Sequence, residues 1–417
     1  MAKPLKMCVC GGGKSAQVMA VLAASNTDME VVVLTTFKDE AEQWSKAIDK
    51  QDMVVTVKGP DDSSRDLKAK PVSVSKVPGD VVPGSDIIVL AVGAYAHEEY
   101  LKAIVGLIDK KAVIVGFPGQ AGFEYLCKSL LGELRDQVTI MSFEMSPWVC
   151  SLEAFGKKAV ITRTAQCLNG SILRGKAIPR KPALMSLQMA LGPTPMLKQT
   201  KHFLEVLLTS FSFFHPAIMY GKWKDWDGKY LDSEPLFYGN IDESTAQILE
   251  ECSKEYQAVA FAVSGQRPDI NLTELPDIFN WLIQFYKDDI EDGTSLLNAI
   301  KSNKVYKDVK HIMQKDRTKY KPDFNCRYLA EDIPYGLVVV RGIAEILEVP
   351  MPTCDMLIDW AQGKMNKKYL VDGKLTGDDV KTTRAPQRFG LTTMDEILAG
   401  KKKEDSVDVN GLVALTI

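Results

Sequence analysis

Residues Cys10-Gly11-Gly12-Gly13-Lys14-Ser15-Ala16, near the start of the chain, read as a phosphate-binding turn. They fit G-x-G-x-x-A on Gly11, Gly13 and Ala16, with an apolar run before them and a helical pattern after. Glycine allows the tight turn and close backbone approach to a pyrophosphate. A small third residue lets helix pack on strand, and the helix N-terminus faces the phosphates. A lone match of this kind is often only a glycine turn, but here further strand–helix units follow. The acidic partner usual at the tip of the second strand is missing from Val33-Leu34-Thr35-Thr36-Phe37. That leaves Thr35, or the nearby Asp39, to meet the ribose hydroxyls. No arginine stands there and Lys38 is the basic residue at hand for a 2′-phosphate, so NAD is preferred to NADP as the cofactor.

Two more strand ends carry small residues, Ala91-Val92-Gly93-Ala94 and Gly116-Phe117-Pro118-Gly119-Gln120-Ala121-Gly122. Small side chains at a strand's carboxyl end leave room for a flat cofactor, which places Val92 and Gly93 at its edge. For proton transfer near neutral pH the chain offers four histidines, at 97, 202, 215 and 311. His97 opens a helix beside the crevice. His202 falls in a helical run at the surface or its boundary, and His311 among lysines and aspartates, where solvation is expected. His215 sits in an apolar stretch before Pro216, a setting more typical of a core histidine than a catalyst. The segment Arg327-Tyr328-Leu329-Ala330-Glu331-Asp332-Ile333-Pro334 shifts that balance. Pro334 suits a first helical turn, which puts Asp332 beside a helix N-terminus, where a carboxylate is stabilised and can orient an imidazole. Arg327 offers a planar fork to a carboxylate or phosphate. Helix capping and a surface arginine account for the same residues equally well.

These groups need a scaffold, and the first half supplies one. Apolar runs at 6–10, 30–35, 87–92, 112–116 and 138–143 alternate with helical patterns at 15–24, 39–48 and 121–134. Short, wholly apolar runs between helices imply a parallel sheet covered on both faces, the doubly wound Rossmann α/β class. Residues 59–84 read as turns or short edge strands. Beyond about residue 182 strand signals become rare, and helical periodicity appears at 196–209, 245–263, 278–286, 295–300 and 335–347. Two domains follow, a dinucleotide-binding 1–200 and an all-α 201–417, since 417 residues exceed one core. The tail from 401 reads as partly disordered.

Bulk properties narrow the function. A net charge of −3 gives no basic field for nucleic acid or an anionic membrane. The N-terminal residues do not read as a secretory leader, and no run is expected to reach the ~20 apolar residues of a bilayer span. Eight scattered cysteines without Cys-x-x-Cys imply reduced thiols, a cytoplasmic setting and no metal.

The chain as a whole resembles the opine dehydrogenases, the octopine, tauropine, alanopine and strombine type of marine invertebrates. The resemblance is carried by residues 8–16, Ser142-Phe143-Glu144 with Pro147-Trp148, His215-Pro216-Ala217-Ile218, residues 327–334, Tyr369-Leu370-Val371-Asp372-Gly373 and Pro386-Gln387-Arg388. It implies NADH-dependent reductive condensation of pyruvate with an amino acid or taurine, in a monomer that regenerates NAD during oxygen-poor glycolysis. It also implies His215 and Asp332 as the catalytic pair. Arg327, Gln120 and Glu144 would serve the substrates, Trp281 the amino-acid pocket, and Arg327 the cofactor as well. One departure stands out. Met145-Ser146 replaces a threonine–leucine pair typical of the octopine type, so Ser146 would have to supply the hydroxyl near the keto acid. The resemblance leaves arginine, taurine, alanine, glycine and β-alanine open as the amine. Competing readings are a two-domain hydroxy-acid or polyol-phosphate dehydrogenase, which would need a lysine-centred or phosphate-binding cluster, and a nicotinamide sensor without turnover.

Overall fold

The computed structural model describes residues 3–59 and 63–402, so residues 60–62 of the 59–84 stretch and the tail from 403 lie outside it. The main sheet has eight strands, numbered here β1 (Leu5–Cys10), β2 (Met29–Leu34), β3 (Ser73–Ser75), β4 (Ile87–Leu90), β5 (Val113–Gly116), β6 (Thr139–Phe143), β7 (Cys167–Leu173) and β8 (Met196–Gln199). They lie in the order β8-β7-β6-β5-β4-β1-β2-β3. The run from β3 to β6 is parallel throughout, β7 is antiparallel to β6, and β8 is parallel to β7. A 3-2-1-4-5-6 order is the Rossmann arrangement, and winding reverses between β1 and β4. Alternation within β1 explains its apolar continuity. Met7 and Val9 face one buried layer, Cys8 and Cys10 the other.

The stretch 59–84 yields β3 at the sheet edge and also Ser64–Ala69, which belongs to a second sheet. That sheet runs Ser64–Ala69, Met53–Lys58, Lys158–Thr164, Trp148–Ala154. Its strands escape detection by hydropathy because one face is wet. Trp148 and Cys150 are buried, whereas Val149, Ser151 and Glu153 are exposed.

Beyond β8 the chain is largely helical, around the largest apolar cluster. Its long helix, Glu243–Gln266, starts where Asp242 accepts a hydrogen bond from Thr245 N at 2.8 Å. The helices expected near 245–263, 278–286 and 295–300 form at Glu243–Gln266, Ile278–Phe285 and Leu296–Ser302. One small hairpin, Met313–Asp316 with Lys319–Pro322, interrupts the helices. The 196–209 run is not one helix. Met196–Gln199 pairs with β7 as β8, and the helix begins at Phe203, where His202 Nδ1 accepts from Leu204 N at 3.2 Å. Contrary to the sequence reading, residues Phe203–Trp223 are apolar and long enough to cross a membrane by composition. The fold buries 78% of that window and splits it into helices Phe203–Thr209 and Phe214–Trp223.

Glu124 is sealed beneath β6 and β7, taking a hydrogen bond from Ser171 Oγ at 3.1 Å, and burial pushes its carboxyl up from 4.5 to about 7. A raised folded pKa stabilises below the unfolded value, and the contribution is lost as pH rises toward 7. Glu124→Gln is therefore expected to gain stability over the native chain progressively between pH 4.5 and 7, levelling at about 3 kcal/mol. Urea unfolding at several pH values measures this, and a pH-independent difference would refute it.

Candidate active site

At the carboxyl end of β1, Gly11 turns the chain with φ +126, and its N–H donates to Leu34 O at 2.8 Å. A Cβ on Gly11 would come within 2.6 Å of Val92 Cγ1, while Gly13 opens onto free space. Helix Lys14–Ala24 starts at Gly13 without any side-chain cap, so its first N–H groups face that space. Ala16 is buried in the packing of helix on sheet. A glycine cradle of this shape, with uncapped helical N–H donors, fits a dinucleotide pyrophosphate.

Across the crevice, the short loop after β4 carries Val92 and Gly93, and Gly93 caps helix Ala94–Ile104. Ala94 N donates to Glu331 Oε1 at 2.5 Å, so the segment bearing Asp332 is fastened to the cofactor strand's end. His97 is fully buried there, its ring nitrogens bound to Val92 O at 3.2 Å and to Arg384 Nη2 at 2.8 Å. Burial, reinforced by the Arg384 charge, holds its imidazole well below the usual range, hence neutral. His97 is thus a structural group.

The pairing of His215 with Asp332 is direct. Nδ1 lies 2.6 Å from Asp332 Oδ2, and Nε2 lies 3.2 Å from the Tyr238 hydroxyl. The imidazole stacks on Tyr328 with centroids 4.3 Å apart. Asp332 immediately precedes a π-helical turn, Ile333–Leu337, with Pro334 in its first turn, and its side chain makes no cap bond there. Its carboxylate is spent on the imidazole. Burial keeps the Tyr238 hydroxyl protonated well above its usual range. Arg327 is exposed, its guanidinium 5.5 Å from the Tyr328 ring centre.

Gln120 is half-buried, with φ +62, on the loop after β5, which Gly119 N ties to Phe143 O at 3.1 Å. One residue beyond β6, Glu144 is buried. Its carboxylate accepts from Asn169 N at 3.1 Å and Thr209 Oγ1 at 3.4 Å, and burial raises it to about 7. Ser146 Oγ is buried with no hydrogen-bond partner among the described residues. Trp281 stacks on Phe285 at 5.2 Å and meets Phe211 edge-on at 5.4 Å. Glu144, Trp148, Asn169 and Trp281 border a cavity of ≈ 1190 Å³, whose walls do not include His215, Asp332, Gln120 or Arg327.

Other placements differ from the sequence reading. Thr35 is buried and its hydroxyl donates to Glu40 Oε2 at 2.7 Å, while Asp39 takes the Gln43 amide at 2.8 Å. His311 is buried, not solvated. Its Nδ1 accepts from Trp223 Nε1 at 3.1 Å and its ring meets Phe237 edge-on at 4.7 Å, while Lys307, Asp308 and Lys310 beside it in sequence are exposed. Tyr238, Glu331, Arg384 and Glu40 went unnoticed in the sequence. Only the acidic Glu40, six residues past the end of β2, gave a usable signal.

Comparison with known proteins agrees with this geometry. Residues 199–365 match the NAD/NADP octopine/nopaline dehydrogenase alpha-helical domain. Octopine dehydrogenase of Pecten maximus is 44% identical over 398 residues, 95% of this chain and 100% of that protein. Tauropine dehydrogenase of Arabella iricolor is 41% identical, covering 94% and 99%. A solved octopine dehydrogenase with NADH and pyruvate superposes with a TM-score of 0.88 at 43% identity, over 95% of this chain and 98% of that one. The chain belongs to the opine dehydrogenase family, NAD-dependent oxidoreductases acting on CH–NH donors.

Proposed function

We propose that this enzyme condenses pyruvate reductively with an amino acid or taurine, His215 and Asp332 handling the protons. The observation that carries this reading is the 2.6 Å contact between His215 Nδ1 and Asp332 Oδ2, made across 117 residues. NADH, held by residues 1–200, supplies the hydride, and residues 201–417 supply most of the groups that meet the substrates.

The keto acid and amine lose water to form an imine, which then accepts a hydride and a proton. A protonated His215 donates from Nε2 to the carbinolamine oxygen as it leaves as water, and Asp332 stabilises the imidazolium. Tyr238, a neutral hydroxyl at 3.2 Å, steadies that nitrogen between transfers. Arg327, exposed beside Asp332, closes on a substrate carboxylate or the cofactor pyrophosphate. The orphan Ser146 hydroxyl is a donor for the keto-acid carboxylate, covering the threonine that Met145 displaces. Glu144, near neutrality in its own titration, ionises when a cationic group of the amine arrives.

Relatives named for octopine and for tauropine match about equally well, at 44% and 41%, so overall identity does not choose the amine. The protein acts as a cytoplasmic monomer that regenerates NAD in anaerobic glycolysis, without nucleic-acid or membrane partners. Loss of NADH absorbance with pyruvate and a panel of arginine, taurine, alanine, glycine and β-alanine tests the activity. Oxidation should require both substrates. Oxidation by pyruvate alone at the full rate, or none with any amine, would overturn it.

A further inference from the structure

We propose that Glu40 binds the adenosine ribose diol of the cofactor and thereby excludes NADPH. The acid expected at the tip of β2 is absent, and the structure brings in a carboxylate from elsewhere. Glu40 opens helix Glu40–Lys50, and its Oε2 reaches back to accept the Thr35 hydroxyl at 2.7 Å. Thr35 is itself fixed, 1% exposed, with its N–H on Ser75 O at 3.1 Å. A Cβ at Gly12 would run into the Glu40 carboxylate and come within 2.8 Å of Thr35 Oγ1. The carboxylate therefore lies directly above the glycine turn.

That is where ribose hydroxyls arrive when a pyrophosphate rests on the first helix of this fold. The half-buried Glu40 keeps Oε1 outside its bond to Thr35, free to accept from a diol. Phe37, on the loop after β2, and Tyr95, in the first turn of helix Ala94–Ile104, are 60% and 69% exposed at this end of the crevice. Exposed aromatic faces there suit a purine. A 2′-phosphate would bring a charge of roughly −1.5 to −2 against the carboxylate. Neither lysine nearby forms an ion pair with Glu40 itself. Lys76 is paired with Glu42, and Lys38 Nζ lies over the Phe37 ring at 5.0 Å. Thr35 acts as the positioning residue, aiming the carboxylate without meeting the cofactor.

Equilibrium binding by tryptophan fluorescence tests this without turnover, so failure of the proposed amine chemistry would leave the result interpretable. The native chain should bind NADH at least about 100-fold more tightly than NADPH. Glu40→Gln should weaken NADH about 10- to 100-fold, the scale of a hydrogen bond to a charged group, and narrow the preference. Native protein should lose a similar factor with 2′-deoxy-NADH, and Glu40→Gln nothing further, which places the effect on the hydroxyl. Thr35→Val should give a smaller loss in the same direction, with an unchanged unfolding midpoint confirming an intact fold. Equal native affinity for NADH and NADPH, or a Glu40→Gln protein that still feels the 2′-deoxy change in full, would overturn the assignment.

Discussion

Asp332→Asn is expected to lower kcat by about 100- to 10,000-fold, the range that positioned proton transfer contributes. The carboxylate accepts the Nδ1 proton of His215 at 2.6 Å, which leaves the Nε2 lone pair as the group that exchanges protons with substrate. An asparagine amide can donate to Nδ1 instead, fixing the proton on Nε2 and removing the charge that stabilises the imidazolium. The ring itself should stay in place, stacked on Tyr328 at 4.3 Å and near Phe237 at 5.8 Å. NADH affinity should therefore change by less than about threefold, and the loss should fall on kcat rather than on binding. His215→Ala should lose as much, and the double variant little more, because the two act as one unit. Steady-state NADH oxidation and fluorescence titration read both quantities. A kcat within about threefold of native for Asp332→Asn would remove the pair from the chemistry.

The sequence disclosed what local backbone rules dictate. The glycine turn, the buried parallel strands and Pro334 in a first helical turn each depend on a few consecutive residues. It also displayed His215 and Asp332 separately, but nothing local joins residues 117 apart, and their pairing was legible only through resemblance. Strands Trp148–Ala154 and Ser64–Ala69 were hidden because one face meets solvent and the apolar signal halves. His311 was misjudged for the opposite reason. Its sequence neighbours are charged, yet its side chain packs on Trp223 and Phe237 from another part of the chain. Glu40 was hidden for a third reason. A ribose partner was sought at the strand's tip, in Thr35 or Asp39, and no local rule shows that a carboxylate of the next helix reaches back to Thr35 over the glycine turn.

Arg384, a residue with no sequence signal, should prove among the most sensitive in the chain. It is 1% exposed, and burial brings its guanidinium down to about 10, still protonated at neutral pH. Its fork donates to Gly119 O at 2.7 Å, Ala94 O at 2.7 Å and His97 Nδ1 at 2.8 Å, and its own N–H donates to Pro334 O at 3.2 Å. One buried cation thus joins the loop before Gln120, the cofactor strand's end through His97 and Val92, and the turn beside Asp332. Arg384→Met fills the volume but leaves two carbonyls and a ring nitrogen without donors, each worth roughly 1–3 kcal/mol. A destabilisation of about 3–5 kcal/mol is expected in urea unfolding. Where the variant remains folded, kcat should fall about 100-fold through misplacement of groups it never touches. Arg384→Lys keeps the charge, but one ammonium cannot reproduce a fork that reaches three acceptors from two nitrogens, so it should recover only part of the stability. Both variants unfolding within about 1 kcal/mol of native would show that these three segments hold their places without the fork, and that the site is positioned by apolar packing alone.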